Sequence, residues 1–185
     1  MPKLFIFVAE NAEVAVVIRK EKRNKREFYQ CIKWDMENNT FVEGQWLLNK
    51  QLFIEGCSIS PDGKLFGWVY NRYWNCAETL AGISYVPNFT AELFGHGCGR
   101  WLLTSFDSNS RPFPDEFGFK QQGDVVIELS NLDRKSDAVS SGLKPSEFIT
   151  KNGKHVSVID YKILLDGIEI YNAENNVFVN REKIM

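Results

Sequence analysis

The 185-residue chain is poor in the groups that most often carry enzymatic chemistry. It has two histidines, and its four cysteines (Cys31, Cys57, Cys76, Cys98) include no C-x-x-C pair, so no standard zinc-ligand spacing exists. There is no Gly-x-Ser-x-Gly elbow, no His-Glu-x-x-His helix and no dinucleotide fingerprint. No catalytic residue set, metal site or cofactor is therefore expected. Apolar runs are short, and none approaches the roughly 18 residues a membrane helix needs. After Lys3 the run LFIFVA stops at Glu10, shorter than a secretory core, so a cytoplasmic chain with reduced thiols is expected. Excess charge is missing as well. A formal net charge of −2 is not that of a basic nucleic-acid domain, and 44% hydrophobic residues is too many for a disordered chain.

Helical periodicity is also scarce. The best helical stretch is 132–142, which is short and polar. What the chain has instead is β-branched and aromatic runs: LFIFV (4–8), VAVVI (14–18), FYQCIKW (28–34), LFGWVY (65–70), DVVIEL (124–129), HVSVIDYKILL (155–165), IEIY (168–171) and VFV (177–179). Asp62-Gly63, Asn152-Gly153 and Asp166-Gly167 punctuate them as tight turns. The pattern predicts an all-β chain. Residues 104–120, with two prolines and several Ser and Asn, read as a long surface loop.

Two internal matches suggest a repeat. SISPDGKLFGWV (58–69) parallels FITKNGKHVSVI (148–159), and WDMENNTFV (34–42) parallels YNAENNVFV (171–179). Their separations of 90 and 137 residues are about two and three times 45, the length of a four-stranded propeller blade. SPDGK at 60–64 and Trp34-Asp35 resemble the turn and the strand-ending dipeptide of WD-repeat and TolB-like propellers. That resemblance implies a single domain over 1–185, an antiparallel meander of four blade-like units. Strand 4–8 would then complete the last sheet beside 177–179. The alternative is a two-sheet sandwich or barrel.

Candidate sites fall in three places. Arg19, Lys20, Lys22, Arg23, Lys25 and Arg26 form a basic prong between two strands, on a chain that elsewhere holds 16 basic against 22 acidic residues. It suits contact with an acidic protein, a phosphate or a nucleic-acid backbone, but a solvated hairpin tip whose charges discourage edge pairing is the first reading. In GHGCGRW (95–101), His96, Cys98 and Arg100 are the reactive groups, although a glycine-rich bend entering the strand 101–103 accounts for the same residues. Third, Phe66, Trp68 and Tyr70 alternate as core, whereas Arg72, Tyr73 and Trp74 fall past the strand end and, with Trp101, suit a binding surface. Phe106, Phe113 and Phe117 offer a second aromatic loop. The reading that follows is a non-catalytic module binding a protein partner, or a second copy of itself. A small-ligand or carbohydrate-binding β domain comes next, and an enzyme around His96 and Cys98 last.

Overall fold

The computed structural model describes residues 3–24, 26–48, 50–71, 78–98, 104–114, 119–123, 125–132 and 137–175. They form three antiparallel sheets. The first is a meander of β1 (Lys3–Val8), β2 (Val14–Arg23), β3 (Arg26–Asp35) and β4 (Thr40–Leu48). In the second, β5 (Gln51–Leu52) and β6 (Ser58–Ile59) share one edge of β7 (Leu65–Asn71), separated by a 3-10 turn at Ile54–Gly56. That sheet continues through β8 (Glu78–Tyr85), β9 (Leu93–Cys98) and the short β10 (Lys120–Gln121). The third is β11 (Glu147–Ile149), β12 (His155–Ile159), β13 (Lys162–Leu165) and β14 (Ile168–Asn172). No helix of the described residues is long and apolar enough to cross a membrane.

The all-β reading is thus correct, and the two-sheet alternative is not: the described chain has three sheets and no closed barrel. The first sheet lies between the other two. One face presents Val16, Ile18, Tyr29 and Cys31 to Leu52, Ile59, Phe66 and Trp68 of the second. Its opposite face presents Ala15, Val17, Ile32 and Trp34 to Val156, Ile163, Leu165 and Tyr171 of the third. This double burial explains why VAVVI is continuously apolar instead of alternating. Phe66, Trp68 and Tyr70 share a face as the sequence predicts, with Trp68 stacked on Tyr70 at 5.5 Å.

Several expectations need correction. Strand 4–8 belongs to the first sheet and does not complete the last one. Its outer edge is already occupied: Val8 N–H donates to Gly142 O (2.8 Å) and Lys144 N–H to Ile6 O (2.8 Å). Residues 177–179 lie outside the described set. HVSVIDYKILL is two strands, because Asp160 takes φ 56° and turns the chain. The described part of DVVIEL, 125–129, is not a strand. Only Ile127 of it packs inward, while Val126 is 81% exposed. Of the described residues of 132–142, Asp137 is helical, 132 and 138–142 are not, and 133–136 lie outside the described set.

The supposed surface loop is partly core. Phe106 and Phe113 are buried, and Phe106 pairs with Pro112 across a small hairpin. With Leu65, Ile83 and Leu93, Phe106 covers the face of the second sheet that points away from the first. Phe117 lies outside the described residues.

A shared turn geometry runs through the chain. Ser60 N–H donates to Leu65 O, Asp107 N–H to Arg111 O and Thr150 N–H to Lys154 O, each at 2.9 Å. Within each turn a left-handed residue returns its N–H to the opening carbonyl: Gly63 to Ser60, Ser110 to Asp107 and Gly153 to Thr150. The opening side chain closes the turn, since Ser60 Oγ, Asp107 Oδ1 and Thr150 Oγ1 accept from the N–H groups of Leu65, Arg111 and Lys154. A fourth turn, Ala9 to Val14, has the same outer bond at 2.9 Å. The openings at 9, 60, 107 and 150 are 51, 47 and 43 residues apart. The 58–69 and 148–159 match is therefore one of like strands around like turns. In the described parts of 34–42 and 171–179, Asp35 and Asn172 each accept from the N–H two residues on, though they end the third and fourth strands of their sheets.

The first and second sheets are clamped at β4. Gln45 N–H donates to Pro87 O (3.2 Å), and Gln45 Oε1 accepts from the N–H groups of Phe89 and Thr90. A Cβ on Gly44 would collide with the Pro87 backbone. Gly44→Ala is expected to cost about 1–3 kcal/mol of stability through this overpacking. An unchanged urea midpoint would show that the clamp contributes nothing.

Candidate functional site

Three of the four turns gather around a cavity of about 290 Å³. Val8, Ala9 and Glu10 line it from the first turn, Ile59 and Pro61 from the second, and Phe148, Ile149, Thr150 and Lys151 from the last. The remaining wall is Val139, Ser140, Gly142 and Lys144. Backbone bonds fix that wall at both sheets, because Gly142 and Lys144 pair with β1 while Ile59 N–H donates to Ser141 O (3.2 Å). Adjacent turns are joined directly: Asn11 N–H donates to Pro61 O (2.8 Å), and Asp62 N–H to Ser110 Oγ (3.0 Å). Burial raises the Asp62 carboxyl, but bonds from the Ser60 hydroxyl and Lys64 N–H, with the Lys64 ammonium at 3.3 Å, bring it below its ordinary 3.8.

Sequence reasoning missed this cavity. Its walls come from residues as far apart as 8 and 151, and no local motif marks them. The two Asx-Gly-Lys turns were the available signal, since one contributes Pro61 and the other Thr150 and Lys151.

Of the predicted binding residues, Arg72, Tyr73, Trp74, Arg100 and Trp101 lie outside the described residues. His96 is exposed on β9, opposite Leu80 of β8. The predicted glycine-rich bend is a strand as far as Cys98, because Gly95 and Gly97 pair with Ala81 and Thr79. Cys57 is buried between the first two sheets and His155 is exposed on the third, so the fold does not bring these two residues together. The described residues contain no group of three or more His, Cys, Asp or Glu able to hold a metal ion.

The basic segment is a hairpin end, as expected, with Arg23 opposite Arg26 and Asn24 at φ 48°. Much of its charge is compensated internally. Arg19 is buried, ion-paired with Glu21 and placed over the Trp46 ring at 5.4 Å. Arg23 also reaches Glu21 (2.8 Å), and Lys20 reaches Glu27 (2.8 Å). Lys22 and Arg26 remain exposed without an ion pair among the described residues, and Lys25 lies outside them. The prong is thus a weaker anion contact than six charges imply.

Burial pushes the Glu27 carboxyl up, but hydrogen bonds from Lys20 and from the Tyr29 hydroxyl (2.6 Å) bring the net value below the ordinary 4.5. A depressed folded value stabilises the fold above the unfolded value, and this contribution disappears as pH falls through the folded one. Glu27→Gln should therefore flatten the loss of stability between about pH 5 and pH 3, read from urea midpoints. Parallel pH profiles for the two proteins would refute the assignment.

Cys31 and Cys57 are free thiols buried in the core. Burial raises both, Cys57 to about 12, so neither is a nucleophile at neutral pH. In the folded protein, alkylation at these two positions should be at least tenfold slower than in urea, as mapped by peptide mass. Equal rates would place them outside a packed core. No family model, curated protein or solved structure matches this chain.

Proposed function

We propose that the chain is a non-catalytic protein-binding module built from four propeller-like units. Like turns open the units at 9, 60, 107 and 150. Three units are the sheets, and the reduced one contains the 104–113 hairpin. Buried clusters join the fourth unit to the first, the first to the second and the second to the third. Among the described residues no buried cluster joins the third to the fourth.

One observation carries the functional reading. Seven of the eight large hydrophobic side chains exposed among the described residues belong to those two terminal units: Val125, Val126, Leu129 and Leu132 on the third, Ile149, Ile159 and Ile168 on the fourth. Apolar residues scattered singly are ordinary on a surface, and it is their concentration on two units that we read as a surface another protein covers. The cavity is small and has one aromatic in its lining, which does not favour a carbohydrate site. Buried reduced thiols agree with a cytoplasmic setting.

The test compares the wild type, a Val126→Lys/Leu129→Lys variant and a Val42→Lys control as bait, with unchanged circular dichroism as a condition. A bound protein should be lost at least tenfold from the double variant and retained by the control. Identical capture by all three would remove the proposal. Light scattering on the same samples identifies a second copy as the occupant if the wild type is dimeric and the double variant monomeric.

A further inference from the structure

The cavity at the turns shares only Ile149 with the apolar flanks just described. Its floor is apolar, with Ile59 and Pro61 buried and Phe148 half-buried. Its charged groups are Lys144, Lys151 and Glu10, all exposed and without an ion pair among the described residues. We propose that this cavity binds an aliphatic carboxylate, with the chain on Ile59, Pro61 and Phe148 and the carboxylate between the two lysines.

Size, charge and polarity each narrow the choice. About 290 Å³ is at or below the lower end of ordinary ligand pockets, so it admits a short chain or one amino-acid side chain. Two ammonium groups against one carboxylate leave a single positive charge, which a monoanion neutralises. A phosphate dianion has no apolar body for the floor and carries more charge than the single positive charge left there. An amine would have only Glu10 to pair with, against two cations. A neutral alcohol would leave both lysines uncompensated. The same chemistry is available in a free short-chain acid and in the C-terminal residue of a peptide, where a carboxylate adjoins an apolar side chain.

Amide chemical shifts of the intact protein test this with hexanoate, hexanol, hexylamine and inorganic phosphate as probes. Hexanoate is expected to shift residues 8–10, 140–144 and 148–151. Lys144→Ala/Lys151→Ala should weaken it at least fivefold, and Glu10→Gln should strengthen it twofold or more. Spectra that match outside the cavity establish that the variants fold. Hexanol binding as well as hexanoate, hexylamine or phosphate binding better, or no shift at these positions with any probe, would overturn the proposal. A leucine-terminated tripeptide and its C-terminal amide then separate the two sources. Shifts from the free terminus alone assign a chain end, and hexanoate binding without peptide binding assigns a free acid.

Discussion

The fold depends on burying both faces of one sheet. Strands β2 and β3 contribute Ala15, Val16, Val17, Ile18, Cys31, Ile32 and Trp34, all at or near zero exposure, split between the two sides. Removing a large buried aromatic such as Trp34 ordinarily costs about 3–5 kcal/mol, and here the ring also stacks on Phe41 at 5.5 Å, which in turn meets Tyr171 at 4.8 Å. That chain of rings links the first sheet to the third. On the other side, the edge of Phe7 meets Phe66 at 5.2 Å. Much of the aromatic content is inter-sheet packing of this kind. The double burial ends along the β2–β3 hairpin, where buried Glu21 gives way to exposed Lys22 and Arg23. The charges near the tip are partly conditions of that exit: Glu21 offsets the charge of the buried Arg19 guanidinium.

The turns solve a second problem, the satisfaction of backbone groups where strands reverse close to a neighbouring unit. Ser60, Asp107 and Thr150 each supply a side-chain oxygen to an N–H that the ladder leaves over. A left-handed residue is required in each, and glycine meets that requirement at 63 and 153 without steric cost. Ser110 does not, and a non-glycine residue there costs about 1 kcal/mol or more. Its hydroxyl accepts the Asp62 N–H of the neighbouring turn, a bond glycine could not make. The strain and the link are properties of the same side chain.

That substitution also shows where the sequence is legible. Asx-Gly-Lys at 62–64 and 152–154 is visible because glycine marks positive φ, and Asp166-Gly167 gives the two-residue hairpin it predicts, with both residues at positive φ. The turn at 107–111 is hidden because serine stands at the left-handed position, so the surrounding Ser, Asn and Pro read as a loop and Phe106 and Phe113 look exposed. In the opposite sense, DVVIEL carries the composition of a strand, yet its described residues lie beside Pro112 without a ladder, held by Ser130 N–H to Pro112 O (2.9 Å) and by Arg111 to Glu128 (2.9 Å). Composition registers β propensity, but a strand also needs a neighbour with a free edge. The cavity is illegible for a different reason, since the residues around it become neighbours only when three turns meet.

In the four-unit reading proposed above, the distribution of burial follows from the order of the units. A sheet with neighbours on both sides can be apolar on both faces, as β2 shows. A unit at the end of the stack has one face covered, and apolar side chains on the other remain in water. Val126 and Ile168, 81% and 70% exposed, lie outside the first sheet, whose central strands β2 and β3 bury most of their apolar side chains. Transfer of apolar area contributes about 25 cal/mol per Å², so these faces lose stabilisation that the inner sheets obtain. Closing the stack on itself would recover it, as would an external protein. The wall at 139–144 bears on that choice because its backbone bonds already occupy the edges of β1 and β6. It leads from the 104–113 hairpin to the third sheet along the first and second sheets, so at these bonds the two edges meet chain instead of another strand.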